Sequence, residues 1–270
     1  MNWLGAKNGL QLAGSHVLVT GASRGIGEAV AREATRRGAR LSLLARVSEQ
    51  LTAVAEQLDA HQIPTDLRDL DAVARVISAA EAEQGPIDVL VNNAAMMGTG
   101  PLAYLSARTL RDTLTANLLA PAELARAVAG SMIARRRGVI VTVSSFAGEM
   151  ALRNIGAYST SKGAITHLTR ILQRELRGTG VRALPVLLGG VDTELIREND
   201  VDPVAGPAAK RLSAIPADDP VVVAHKILDA VESGQRTLAI PAAGAPLMLL
   251  RNLPSTLADL VLAGLPRSYS

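Results

Sequence analysis

Between Val17 and Gly27 an aliphatic run, Val17-Leu18-Val19, leads straight into Thr20-Gly21-Ala22-Ser23-Arg24-Gly25-Ile26-Gly27. Such a stretch commits the chain to a strand, a sharp turn and a helix in immediate succession. Glycine permits positive φ and lets a neighbour approach the backbone without meeting a Cβ. The helix start then offers unpaired N–H groups and a positive dipole end, a site suited to a pyrophosphate. An ordinary strand-to-helix turn is the alternative, but one glycine usually suffices for that. The spacing is G-x-x-x-G-x-G, so the generic dinucleotide fingerprint G-x-G-x-x-G is not met.

The same alternation continues along the chain. After Val17–Val19 come a helix near Glu28–Arg37, a strand over Arg40–Ala45 and a helix through Ser48–Ala60. A short strand is expected to end near Thr65–Leu67, followed by a helix over Leu70–Gln84 and a strand over Ile87–Val91. Ala107–Ala134 reads as one long helical region, Val139–Val143 as strand, Ala157–Arg177 as helix and Val181–Leu187 as strand. Pro220–Ser233 is expected to be helical and Arg236–Ile240 a last short strand. Strands alternating with helices predict an α/β fold, a Rossmann-like doubly wound parallel sheet of about seven strands in a three-layer α/β/α arrangement. Ligands should collect beyond the carboxyl ends of the strands. Residues 1–270 show no composition break and read as a single dinucleotide-binding and catalytic domain. Asp192–Pro216, with four residues of Pro or Gly at 203, 206, 207 and 216, is expected to be an irregular loop beside the site. Residues 241–270 read as a C-terminal extension that packs on the domain, on a partner subunit or on a membrane surface.

Composition removes several function classes. Aromatic residues are 2% of the chain, so the core must be built from Ala, Val, Leu and Ile, and few rings exist for stacking on bases. Net charge is 28 − 25 = +3, and the basic runs Arg36-Arg37 and Arg135-Arg136-Arg137 fall at expected helix ends, where cations suit the helix dipole and solvent. Nucleic acid is therefore not an expected partner. The absence of Cys excludes disulfides, thiolate metal sites and a Cys nucleophile, and fits a cytoplasmic location. The four His (His16, His61, His167, His225) are scattered, so no metal is expected. The N-terminus lacks the apolar core of a signal peptide, and no run approaches the ~20 apolar residues of a membrane span.

Two arginines bear on the nucleotide. Arg24 lies inside the glycine turn, and Arg46 follows the second strand, where residues 41–46 contain no Asp or Glu. An acidic residue there would hold a ribose 2′-hydroxyl, whereas Arg suits a 2′-phosphate, so NADP(H) is expected over NAD(H). Two solvated arginines are the alternative.

Tyr158-Ser159-Thr160-Ser161-Lys162 puts Tyr and Lys at i and i+4, on one helix face. A phenol titrates near ~10, and bringing it to ~7 takes about 4 kcal/mol, which a lysine ammonium and an oxidised nicotinamide ring are expected to supply. Ser145, thirteen residues before Tyr158, ends a strand and is placed to hydrogen-bond a reacting oxygen. Turn or cap chemistry is the alternative for Ser144-Ser145.

Thr20–Gly27, Asn92-Asn93-Ala94-Ala95, Asn117, Ser144-Ser145 and Tyr158–Lys162 stand in the order and spacing of the short-chain dehydrogenases/reductases, which the chain resembles over residues 10–240. The resemblance implies Tyr158 as general acid/base, Ser145 on the substrate oxygen, Lys162 on the nicotinamide ribose, and Asn117 organising a water-linked relay to Lys162. It implies a cofactor site of Gly21, Ser23, Arg24, Gly25, Ile26, Gly27, Arg46, Asp66, Leu67, Asn93, Ala94, Ala95, Tyr158, Lys162, Val191 and Thr193. Asp66 and Leu67 would meet the adenine, Asn93 and its neighbours the ribose side, and Val191 and Thr193 the carboxamide. The implied reaction is NADP(H)-dependent reduction of a ketone or aldehyde, or its reverse, by a homodimer or homotetramer. Met96, Met97, Phe146, Met150 and Leu195 are candidate pocket walls and point to an apolar substrate, acyl, polycyclic or a secondary-metabolite ketone. A protein that binds or senses NADP(H) without turnover is the alternative function. Two departures stand out, Ala95 where the family usually has Gly, and Leu188-Gly189 where it usually has Pro-Gly.

Overall fold

The computed structural model describes residues 9–189, 191 and 218–242. Its strands and helices run β1 (His16–Thr20), α1 (Gly25–Arg36), β2 (Arg40–Ala45), α2 (Glu49–Leu58), β3 (His61–Pro64), α3 (Leu70–Gln84), β4 (Val89–Asn92), α4 (Ala107–Leu114), α5 (Ala120–Ala134), β5 (Gly138–Ser145), α6 (Gly156–Glu175), β6 (Val181–Leu188), α7 (Pro220–Ser233) and β7 (Leu238–Ile240). The strands pair in parallel in the order β3-β2-β1-β4-β5-β6-β7. The order reverses between β1 and β4, so the connections after them diverge and leave a crevice at their carboxyl ends.

Alternation within each strand supplies two apolar layers. Val17 and Val19 of β1 face α1, α2 and α7, where Val30, Leu51 and Ile227 are buried. Leu18 points to the opposite face, with Leu90 and Ile140, under Val76 of α3 and Leu124 of α5. Helices thus cover both sheet faces, which is why the strands read as continuous aliphatic runs. Local signals fix the helix ends. Ser48, Asp69 and Asp219 each accept a hydrogen bond from a backbone amide in the first turn of α2, α3 and α7. Gly234 closes α7 in the left-handed region.

Some boundaries differ from the expectation. β3 stops at Pro64, because Asp66 folds the chain into a turn in which its carboxylate accepts from the Arg68 amide at 2.9 Å. β7 starts at Leu238, since Gln235 is still bonded to Ala230 at the end of α7. The region 107–134 is helical throughout, yet Thr115–Leu119 forms a π-turn between α4 and α5.

The basic runs do more than suit helix dipoles. Arg37 bridges α1 to α7, pairing with Glu33 at 2.6 Å and with Asp229 and Glu232 at 2.8 Å. Arg135 and Arg137 both donate to Asp88, at 3.1 and 3.0 Å, at the amino end of the sheet. Among the described residues no helix is long and apolar enough to cross a membrane, and no group of His, Asp and Glu is arranged to hold a metal ion. The segment Asp192–Pro216 and the extension after residue 242 lie outside the described residues.

Candidate active site

At the carboxyl ends of β1, β2, β4, β5 and β6 lies a cleft of about 1130 Å³. The glycine turn forms one wall. Gly21 and Gly25 have φ of 68° and 59°, in the left-handed region. A Cβ on Gly21 would sit 2.9 Å from Ala94 Cα, and one on Gly27 would run into the Gly21 carbonyl. The backbone is thereby drawn tight around the start of α1, whose first amide groups face the cleft end of the turn. Gly21, Ser23, Arg24, Gly25 and Ile26 line the cleft. Gly27 is buried behind the turn and serves its close packing.

The adjoining wall is held by Thr20, which the sequence reading did not single out. Its hydroxyl accepts from the amides of Asn93 and Ala94, both at 3.0 Å, while the Asn93 side chain donates to the Thr20 carbonyl at 3.0 Å. A threonine closing a strand just before a glycine turn is the signal that could have found it. Asn93, Ala94 and Ala95 line the cleft, as do Arg46, Asp66, Leu67 and Val191. Arg68, which was also not anticipated, lines it beside Asp66. Thr193 and Leu195 lie outside the described residues.

Ser145, Tyr158 and Lys162 meet on the far wall. Tyr158 and Ser145 lie beside each other on this wall, and Ser145 Oγ accepts from the Ala147 amide at 3.1 Å. Lys162 Nζ donates to the Val143 carbonyl at 2.9 Å and sits 5.8 Å from the centre of the Tyr158 ring. Burial pushes the Tyr158 phenol above its ordinary value, only partly offset by the Ser145 hydroxyl. Burial likewise brings Lys162 down to about 8. Desolvation disfavours the charged form of both groups, so within the chain it works against the phenolate that the lysine and an oxidised nicotinamide ring are expected to favour together.

Close packing sets this geometry. The 3₁₀ turn Phe146–Glu149 follows Ser145, and a Cβ on its Gly148 would lie 2.5 Å from the Gly163 amide nitrogen of α6. Ser144 is structural, since its hydroxyl meets the Lys162 carbonyl at 3.0 Å and Thr166 at 2.6 Å. Asn117 sits in the π-turn, 2% exposed and away from the cleft wall. Its side chain accepts from Met96 N at 2.9 Å and donates to Met96 O at 2.8 Å and Ser161 Oγ at 3.0 Å. It ties the strand-end loop carrying Met96 to α6. Met96 and Met97 line the cleft; Phe146 and Met150 do not. Met150 and Met97 instead pack with Leu152 and Ile155 around Tyr158, and Phe146 is buried.

The crowded glycine turn, the helix start behind it, the cationic rim and the long cleft fit a dinucleotide in shape and charge. The comparisons agree. The family model for short chain dehydrogenases matches residues 15–203. Gluconate 5-dehydrogenase of Gluconobacter oxydans (strain 621H) is 36% identical over 189 residues, covering 68% of this chain and 74% of that protein. Bovine (Bos taurus) 3-ketodihydrosphingosine reductase is 34% identical over 206 residues, covering 72% of this chain and 62% of that protein. The crystal structure of a metagenomic short-chain oxidoreductase in complex with NADP superposes with a TM-score of 0.71 at 32% identity, over 85% of this chain and 98% of that one. With its parallel sheet, its glycine turn and these relatives, the chain belongs to the short-chain dehydrogenase/reductase family of oxidoreductases.

Proposed function

We propose that the chain interconverts a ketone or aldehyde and the matching alcohol with NADP(H), using Tyr158 as general acid/base. The observation that carries this reading is the convergence of Ser145, Tyr158 and Lys162 on one cleft wall, with Lys162 Nζ buried 5.8 Å from the centre of the Tyr158 ring. When bound, the dinucleotide supplies or accepts the hydride, and its oxidised ring adds positive charge to the cleft. The residues of the chain handle the oxygen and its proton. Ser145 hydrogen-bonds the carbonyl or alkoxide oxygen and orients it toward the phenol. Tyr158 gives that oxygen a proton in reduction and takes it back in oxidation. A buried ammonium at Lys162 favours the phenolate through space and opposes the desolvation that holds the phenol neutral.

Gly21, Ser23, Gly25 and Ile26 would hold the pyrophosphate, Asp66 and Leu67 the adenine, and Asn93 to Ala95 the ribose side. Arg24 and Arg46 would take a 2′-phosphate, a reading supported by the NADP complex of the structural relative. Met96 and Met97 on the cleft wall support an apolar carbonyl substrate. The bovine relative's name, 3-ketodihydrosphingosine reductase, supports a ketone substrate. Exposed Ile133, Leu168 and Ile171 on α5 and α6 support assembly as a homodimer or homotetramer.

The test compares wild type with Tyr158→Phe on a panel of apolar ketones, following NADPH consumption and, separately, NADPH binding. Turnover is expected to fall at least ~100-fold while binding persists, the size of a lost general acid. A wild type that binds NADPH and turns over no ketone, aldehyde or alcohol in the panel points to a nucleotide-sensing protein instead.

A further inference from the structure

Three arginines and one carboxylate, Arg24, Arg46, Arg68 and Asp66, lie on the nucleotide end of the cleft wall. Arg68 turns its fork onto carboxylates. Its Nε lies 3.0 Å from both Asp66 oxygens and its Nη2 donates to Oδ2 at 2.5 Å. Its backbone amide donates to Asp66 Oδ1 at 2.9 Å, and Nη1 reaches Asp112 Oδ2 of α4 at 3.5 Å. The guanidinium is therefore directed at carboxylates rather than at the open cleft. A planar fork matched to a carboxylate is the arrangement in which Arg is not replaceable by a point charge.

Asp66 sits within the field of a second cation. Arg68 holds its carboxyl below the usual range by hydrogen bonding, and Arg46 adds a smaller pull through space. Arg46 is exposed on the same wall and makes no hydrogen bond or ion pair with any other described residue. A fixed carboxylate stripped of its fork would draw in the cation that already feels it, and that cation is Arg46.

We propose that Arg68 is a positioning and selectivity residue, which by occupying the Asp66 carboxylate keeps Arg46 open for the 2′-phosphate of the nucleotide. This rests on the NADP(H) reading given above. Arg68 does not itself touch the 2′-phosphate; it acts through Asp66.

The measurement is the dissociation constant of NADPH and of NADH by titration calorimetry, for wild type, Arg46→Ala, Arg68→Ala and the double variant Arg68→Ala/Asp66→Asn, each checked for an unchanged circular dichroism spectrum. Both nucleotides carry the same adenine, so the ratio of the two constants cancels any change in grip on the base. Arg68→Ala is expected to lower the preference for NADPH roughly fivefold, the scale of one exposed charge interaction. Removing the competing charge in the double variant is expected to bring the ratio back to within about twofold of wild type. Arg68→Lys, which keeps the charge without the fork, is expected to fall between. A wild type that prefers NADH overturns the NADP(H) reading and this proposal with it. A wild type that prefers NADPH and loses that preference in Arg46→Ala, but keeps it in Arg68→Ala, overturns this proposal alone. A ratio that falls in Arg68→Ala and is not restored by Asp66→Asn also overturns it, since Arg68 then meets the phosphate directly.

Discussion

Burial acts on Tyr158 and Lys162 in one direction, toward neutral forms, and the site works against it. Lys162 titrates near 8 in the folded chain and 10.5 in the unfolded one. Between those values the unfolded chain keeps a proton that the folded chain has released, so stability climbs with pH from 8 to 10.5. Below 8 the buried ammonium is a full penalty. Lys162→Met is therefore expected to abolish turnover and to raise stability at pH 7 by on the order of 1–3 kcal/mol, less what the Val143 carbonyl loses. Urea titration checks it, and a destabilised variant would refute the argument. The Ser145 hydroxyl pulls the phenol down against burial. In Ser145→Ala the rise of alcohol oxidation with pH is expected to move to higher pH, in whatever activity remains; an unmoved or lowered midpoint contradicts the assignment. The sequence singled out Ser145, Tyr158 and Lys162 by their spacing together with the family resemblance, and the fold brings all three to one cleft wall. The opposing effect of burial on the phenol was not legible, because a sequence displays charges and hides how far water is excluded from them.

Elements hold these side chains through backbone contact. The turn bearing Gly148 touches α6 at Gly163, one residue beyond Lys162, with no room for a methyl group between them. Gly148→Ala must push the turn off the helix and drag Ser145 from Tyr158. A loss of roughly ten- to hundredfold in kcat is expected, with little change in NADPH affinity, as for a reacting group displaced by a fraction of an ångström or more. Equal changes in both, or in neither, would show that the contact does not position the pair. The order of strands and helices was readable from aliphatic runs and turn residues, and most boundaries fell within a few residues. The π-turn was not readable, since Thr115-Ala116-Asn117-Leu118-Leu119 carries ordinary helix formers. The extra residue in that turn comes from tertiary demand, the pairing of Asn117 with both backbone groups of Met96. Gly98 gives a similar lesson, as only the fold shows that Thr113 fills the space its side chain would need.

At the scale of the whole molecule, chemistry and cohesion occupy different ends. The Glu33 carboxyl, 6% exposed between Arg36, Arg37 and His225, is held down to about 2 by the Arg36 hydrogen bonds first and then by Arg37. Its folded value lies below the ordinary 4.5, so its stabilisation is complete above pH 4.5 and vanishes as pH falls through about 2. The gap in urea midpoint between wild type and Glu33→Gln is expected to be widest near neutrality and to close by pH 2. A gap that stays constant across that window would mean the carboxylate charge is not what joins α1 to α7. The sequence disclosed these arginines but not their partners, because Glu33 and Glu232 are brought together only by the packing of the first helix on the last. Asp88 plays the matching part under β4, where it also accepts from the His16 amide at 3.2 Å. Because these carboxylate hubs lie beneath the sheet and at the tail of α1, while reacting groups crowd its upper rim, selection can harden the foundations of the molecule and rework its mouth as separate tasks. A lineage of such chains is free to trade one carbonyl compound for another without renegotiating the temperature it survives.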